Sequence, residues 1–182
     1  MNPVLVEAHR GNAVESAHRG ALAVFDADGS CVLALGDIHR PIFPRSAVKV
    51  LQALPLGESG AADALQLNHD ELALACASHN GEPAHVATAA GMLAKAGVDF
   101  RALECGTHWP RREATQREMA ARGETPSALH NNCSGKHAGF ICLACRLANG
   151  QHLFEYSRGY VQATHPVMHE VTQALQTTTG WD

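Results

Sequence analysis

The segment Arg45-Ser46-Ala47-Val48-Lys49 places a hydroxyl and an amine three positions apart at the start of an apolar helical run. On a helix, residues i and i+3 are neighbours, so Lys49 can reach the Ser46 hydroxyl and, when neutral, take its proton. Neutrality is demanding, because an unperturbed lysine is neutral in only about 4 in 10,000 molecules at pH 7. The partial positive charge of a helix N-terminus and the fixed charge of Arg45 both disfavour a second cation, and the Val48 to Leu54 run supplies desolvation. The alternative is a capping serine followed by a solvated lysine. With eight serines and three lysines in 182 residues, chance placement gives the S-x-x-K spacing about 0.13 times.

Two further polar runs stand beside it. Cys76-Ala77-Ser78-His79-Asn80-Gly81-Glu82 concentrates hydroxyl, imidazole, amide and carboxylate groups in a short loop. Such a loop suits orientation of a polar substrate, with His79 and Asn80 as candidate binding residues. Ser78-x-Asn80 also has the S-x-N form that accompanies S-x-x-K in acyl-serine enzymes, although Ser and Asn are ordinary loop residues as well. His130-Asn131-Asn132-Cys133-Ser134-Gly135-Lys136-His137 is the densest polar run. It lacks the glycine-rich frame of a phosphate loop. Cys133 could share a metal with Lys136 or His137, and chemistry alone prefers the histidine, since lysine must first shed a proton at a cost of roughly 4–5 kcal/mol. Cys142 and Cys145 read as small hydrophobes inside an apolar helix, and His165 and His169 as surface residues of a helix start.

The elements that must position these groups follow from periodicity and stop signals. Residues 4–6, 20–25 and 31–35 read as strands, the last two joined through Asp26-Ala27-Asp28-Gly29 as the one hairpin expected. A first long helix carries Ser46 and ends at Pro55 and Gly57. Asn68 to Glu71 has capping-box form, Pro83 opens a helix closed by Gly97, and further helices are expected at 111–121, 134–148 and 166–177. Strands followed by helices imply an α/β fold class of layered α+β type. At 182 residues and 46% apolar composition, the expectation is a single domain over 1–182, and the sparse strands and the ending at Trp181-Asp182 read as an N-terminal part of a longer protein.

A net charge of −4 without a basic stripe argues against nucleic acid as a partner. No stretch is long enough to span a membrane, and Met1 to Glu7 lacks the features of an export signal, so a soluble cytoplasmic protein with reduced cysteines is expected.

Taken together, Glu15-Ser16-x-His18-x-Gly20, Phe43-Pro44-Arg45-Ser46-x-x-Lys49-x-x-Gln52-Ala53, Cys76-Ala77-Ser78-His79-x-Gly81-Glu82-x-x-His85, Cys105-Gly106-x-His108-Trp109-Pro110 and Asn131-Asn132-Cys133-Ser134-Gly135-Lys136-His137-Ala138-Gly139 resemble the asparaginase II family, the serine/lysine class of L-asparaginases. The resemblance runs from about residue 4 to Pro166. It implies a fold similar to serine β-lactamases and penicillin-binding proteins, and hydrolysis of L-asparagine to L-aspartate and ammonia. Carried over residue by residue, it makes Ser46 the nucleophile, Lys49 its base, Ser78 a second catalytic serine and Arg45 a residue that shapes the substrate site. It also selects Lys136, over His137, to join Cys133 as zinc ligands. In the family, a further cysteine ligand, a second catalytic lysine and closing strands lie C-terminal to the matching region. The expected partner is the small molecule L-asparagine, with a homodimer open as a state of assembly. The competing functions are a penicillin-binding or β-lactamase-type acyl-serine enzyme and an inactive fragment of such an enzyme.

Overall fold

The computed structural model describes residues 1–181. They form two compact units, 1–43 and the remainder from Pro44. The first unit is built from two antiparallel hairpins, β1 (Val4–Arg10) with β2 (Ala13–Arg19), and β3 (Leu22–Phe25) with β4 (Cys31–Leu35). The β3–β4 hairpin turns at the Asp26 to Gly29 segment, as expected. There the Asp26 carboxylate accepts from the Asp28 and Ser30 amides, and Gly29 takes φ +79°. The β1–β2 hairpin corrects the expectation of a single hairpin. Residues 4–6 of β1 read as a strand, but β2 carries Glu15, Ser16, His18 and Arg19, which hides its period of two. The hairpin's turn signal was nevertheless present, because Gly11-Asn12 is a two-residue hairpin connection with Gly11 at φ +60°.

The second unit is helical. After a 3₁₀ turn at Arg45–Val48 come α1 (Lys49–Gln52), α2 (Leu54–Glu58), α3 (Ala61–Ala64), α4 (His69–Cys76), α5 (Pro83–Lys95), α6 (Glu113–Ala121), α7 (Ser134–Leu147), α8 (Leu153–Tyr156) and α9 (Pro166–Thr179). The first long helix is therefore replaced by three short pieces. Pro55 has no amide hydrogen to continue a ladder, so it opens α2 instead of closing the helix before it, and Ala53 caps the break. The stop signals further on act as read. Asn68 and Glu71 form a complete capping box on α4, Pro83 begins α5, and Gly97 leaves it at φ +81°.

α7 lies at the centre of this unit. Ala138, Phe140, Ile141, Cys142, Leu143 and Ala144 are all buried, the mark of a helix covered on every side. It packs against α2, α3, α4, α5 and α9. It comes close to α4 at Gly135, where an added Cβ would lie 2.4 Å from the Leu74 carbonyl oxygen. Only a glycine lets the two backbones meet this closely. Cys142 sits inside this core and Cys145 is partly covered, and all six cysteines among the described residues are free thiols. His165 departs from the surface role expected of it. It caps α9, its Nδ1 accepting from the Val167 amide while Nε2 contacts the Tyr156 carbonyl.

Candidate active site

The approach of α4 to α7 sets the chain after α4, Ala77 to Glu82, beside the segment that leads into α7, His130 to Ser134. Two backbone features fix this loop. The His79 amide donates to the Asn132 carbonyl at 3.1 Å. Gly81, at φ +74°, stands where a Cβ would be 2.7 Å from the His130 carbonyl oxygen, so both conformation and space require glycine.

Lys49 reaches this loop from α1. It is only 3% exposed, and its Nζ donates to the Ala77 carbonyl and to Ser78 Oγ, each at 2.8 Å. A lysine is rarely so buried without partners. Ser46 is exposed in the 3₁₀ turn directly ahead of Lys49, whose amide donates to the Ser46 carbonyl. In a 3₁₀ turn residues i and i+3 eclipse, so the two residues share a face, while the side-chain hydrogen bonds of Lys49 go to Ala77 and Ser78. Arg45 and Asn80 are exposed. Arg45 holds φ +54°, a left-handed conformation that costs a non-glycine residue about 1–2 kcal/mol.

His79 lies on the inner side of the loop and is 5% exposed. Its Nδ1 accepts from the Gly81 amide at 3.1 Å and its Nε2 meets Ser134 Oγ at 2.9 Å. The ring stacks on His85 with centroids 5.0 Å apart. Burial first, then the nearby charges of His85 and Lys49, push its pKa down to about 4, so the ring is neutral at pH 7.

The α7 end of the site holds the proposed metal donors. Cys133 caps α7 and Lys136 lies one turn on. Asn131 ties this turn down, its Oδ1 accepting from the Cys133 amide at 2.8 Å and its Nδ2 donating to the Cys105 carbonyl at 2.7 Å. Burial holds the Lys136 ammonium below the ordinary lysine value, with Cys133 acting in the opposite direction. A thiol, and one turn on an amine whose proton affinity burial lowers, are chemically suited to be two zinc donors. Among the described residues no group of three or more His, Cys, Asp and Glu side chains is placed to hold a metal ion. His137, which chemistry alone favoured as the partner of Cys133, is turned into the core. Its Nδ1 is hydrogen-bonded to the Tyr160 hydroxyl at 2.7 Å, and that hydroxyl accepts from the Glu104 amide. Burial pushes the His137 pKa down to about 3.

Sequence reasoning passed over the Ala77 carbonyl, Asn131, Ser134 and Tyr160. For Ser134 the signal was its place at the first position of a helix within the densest polar run. The Ala77 carbonyl and Tyr160 carried none, since each acts through a partner distant in sequence.

An α+β protein with a buried lysine held against a loop serine, beside a cysteine and lysine at a helix start, has the makings of a hydrolase site. The L-asparaginase II family model matches residues 6–182, and the chain belongs to that family. Membership makes it a hydrolase of asparaginase type with a small-molecule substrate. No curated protein matches the chain. No helix among the described residues is long and apolar enough to cross a membrane.

Proposed function

We propose that the protein hydrolyses L-asparagine to L-aspartate and ammonia through an acyl-Ser46 intermediate. The observation that carries this reading is Lys49, buried and bonded to the Ala77 carbonyl and Ser78 Oγ, one 3₁₀ turn after an exposed serine. Ser46 Oγ attacks the side-chain amide carbon of the substrate while the Lys49 lone pair receives the hydroxyl proton. Collapse of the tetrahedral adduct breaks the C–N bond, and the proton leaves with the nitrogen as ammonia. Water then attacks the ester, a proton returns to Ser46 Oγ, and aspartate departs. Ser78 Oγ, bonded to Lys49, fixes the amine and passes protons to and from it. The charge of Arg45 and the amide of Asn80, both exposed, are available to the polar ends of an amino acid.

Cys133 and Lys136 are the residues that would hold zinc. Bound there, the ion supplies a fixed positive charge that lowers the proton affinity of neighbouring groups. The serine β-lactamase-like fold belongs to the same proposal, supported by an S-x-x-K segment leading into a helix beside an S-x-N loop. A cytoplasmic location fits the free thiols.

Steady-state ammonia release from asparagine tests the reading. Ser46→Ala and Lys49→Met should each abolish it, because nucleophile and base act as one unit. Retention of most of kcat in Lys49→Met would overturn it. The 2.8 Å contact of Lys49 with Ser78 favours a second reading in which Ser78 is the acylated serine. Ser78→Ala then loses the covalent intermediate and Ser46→Ala keeps it.

A further inference from the structure

The ring of His79 has a single proton arrangement that satisfies its neighbours. The Gly81 amide can only donate, so Nδ1, 3.1 Å away, carries no proton. The proton of the neutral ring is therefore on Nε2 and is directed at Ser134 Oγ, 2.9 Å distant. Ser134 is wholly buried, and its own hydroxyl proton goes to the Leu129 carbonyl at 2.8 Å. The chain of donors thus runs one way, from the Gly81 amide to the His79 ring, from the ring to Ser134, and from Ser134 to the Leu129 carbonyl. Neither ring nitrogen is left to contact a substrate. The residue immediately before His79 is Ser78, whose hydroxyl meets Lys49, and the His79 amide is itself bonded to the Asn132 carbonyl.

We infer that His79 and Ser134 form a positioning pair. They lock the backbone behind Ser78 so that its hydroxyl stays on the Lys49 amine, and His79 takes no part in binding substrate. This inference rests on the reading of Lys49 and Ser78 as catalytic machinery. It replaces a substrate-binding role for His79 with one exerted through its neighbour. In a site of this kind a displacement of about 1 Å can cost on the order of 100-fold in rate.

Three variants separate the contacts. Ser134→Ala removes the acceptor for Nε2–H. His79→Gln can keep a donor where Nε2 stands, and His79→Leu removes both ring nitrogens. In Ser134→Ala and His79→Leu, kcat should fall at least tenfold with KM within about twofold of the parent, and His79→Gln should recover part of the loss. Nitrogen NMR of the imidazole reads the pair without reference to turnover. At pH 7 it should show the Nε2–H tautomer, and Ser134→Ala should shift both that signal and the backbone amides of Ser78 and Lys49. Should Ser134→Ala fail to fold, the His79→Gln and His79→Leu comparison decides alone. The inference is overturned by unchanged kcat in the folded variants, by a rise in KM at constant kcat, or by an Nδ1–H tautomer. An inactive parent protein, or full activity in Ser46→Ala, sinks the reading of the active site instead and leaves the NMR test of the pair standing.

Discussion

Gly135→Ala probes the contact that brings the two halves of the site together. A Cβ at this position would lie 2.4 Å from the Leu74 carbonyl oxygen, 2.5 Å from Leu74 Cγ and 2.8 Å from the Leu74 carbonyl carbon. Ordinary van der Waals contact begins at 3.4 Å, so α4 and α7 must part by about 1 Å, and a backbone carbonyl has no rotamer with which to yield. Overpacking of this kind costs about 1–3 kcal/mol, and the higher helix propensity of alanine returns about 1 kcal/mol. The expected net loss is therefore up to about 2 kcal/mol. With a urea m value of about 2 kcal/mol/M, the unfolding midpoint should drop by up to about 1 M at constant m. Because α4 leads to Ser78 and α7 follows Cys133, the same displacement should lower kcat at least tenfold. Gly139→Ala is the control. Its Cβ would meet the Ala75 Cβ at 3.3 Å and Leu56 Cδ2 at 3.6 Å, contacts that a small adjustment accommodates. A Gly135→Ala protein as stable and as active as the parent would refute the argument that this glycine exists to permit close approach.

Three other outcomes follow from the same structure. The depressed pKa of His79, about 4 against an ordinary 6.5, means that the unfolded chain binds a proton on falling below pH 6.5 that the folded chain refuses. Stability should therefore be full above pH 6.5 and decline towards pH 4 by up to about 3 kcal/mol, and a flat urea midpoint between pH 7 and 4.5 would exclude a neutral buried ring. Tyr160→Phe removes the hydroxyl that joins His137 Nδ1 to the Glu104 amide. It should cost about 1–3 kcal/mol in a urea melt, whereas a loss below about 0.3 kcal/mol would show that the pair is not a structural tie. Zinc content measured by elemental analysis should fall in both Cys133→Ser and Lys136→Ala, and stoichiometric zinc retained in both would redirect the assignment to other donors.

Local signals in the sequence carried much of the helical unit. The Asn68/Glu71 capping box, Pro83, Gly97 and Pro166 each act through neighbours within one turn, so each could be read without tertiary information. The α+β character was legible for the same reason. The early helix was not, because Pro55 has two meanings, a terminator of one helix or the opening residue of the next, and only packing against α7 and α9 selects the second. The start of β1 was legible in residues 4–6, whereas β2 was obscured by Glu15, Ser16, His18 and Arg19. At the candidate site, motif spacing drew attention to Ser46, Lys49, Ser78 and Cys133, while Lys136 was chosen over His137 by the family resemblance alone. What it could not supply was the pairing. That Lys49 is bonded to Ser78, that His79 faces Ser134, and that His137 is committed to Tyr160 all follow from a glycine-permitted approach of α4 to α7 and from a tyrosine 23 positions downstream of its partner.

The most direct test of the account is to find the serine that becomes acylated. Turnover with L-asparagine is quenched in acid, the protein is digested, and the peptides are weighed by mass spectrometry. The account predicts an increment of one aspartyl group on the peptide containing Ser46, absent from Ser46→Ala. An increment on the peptide containing Ser78, or sustained ammonia release with no covalent adduct under conditions that trap esters, would contradict it.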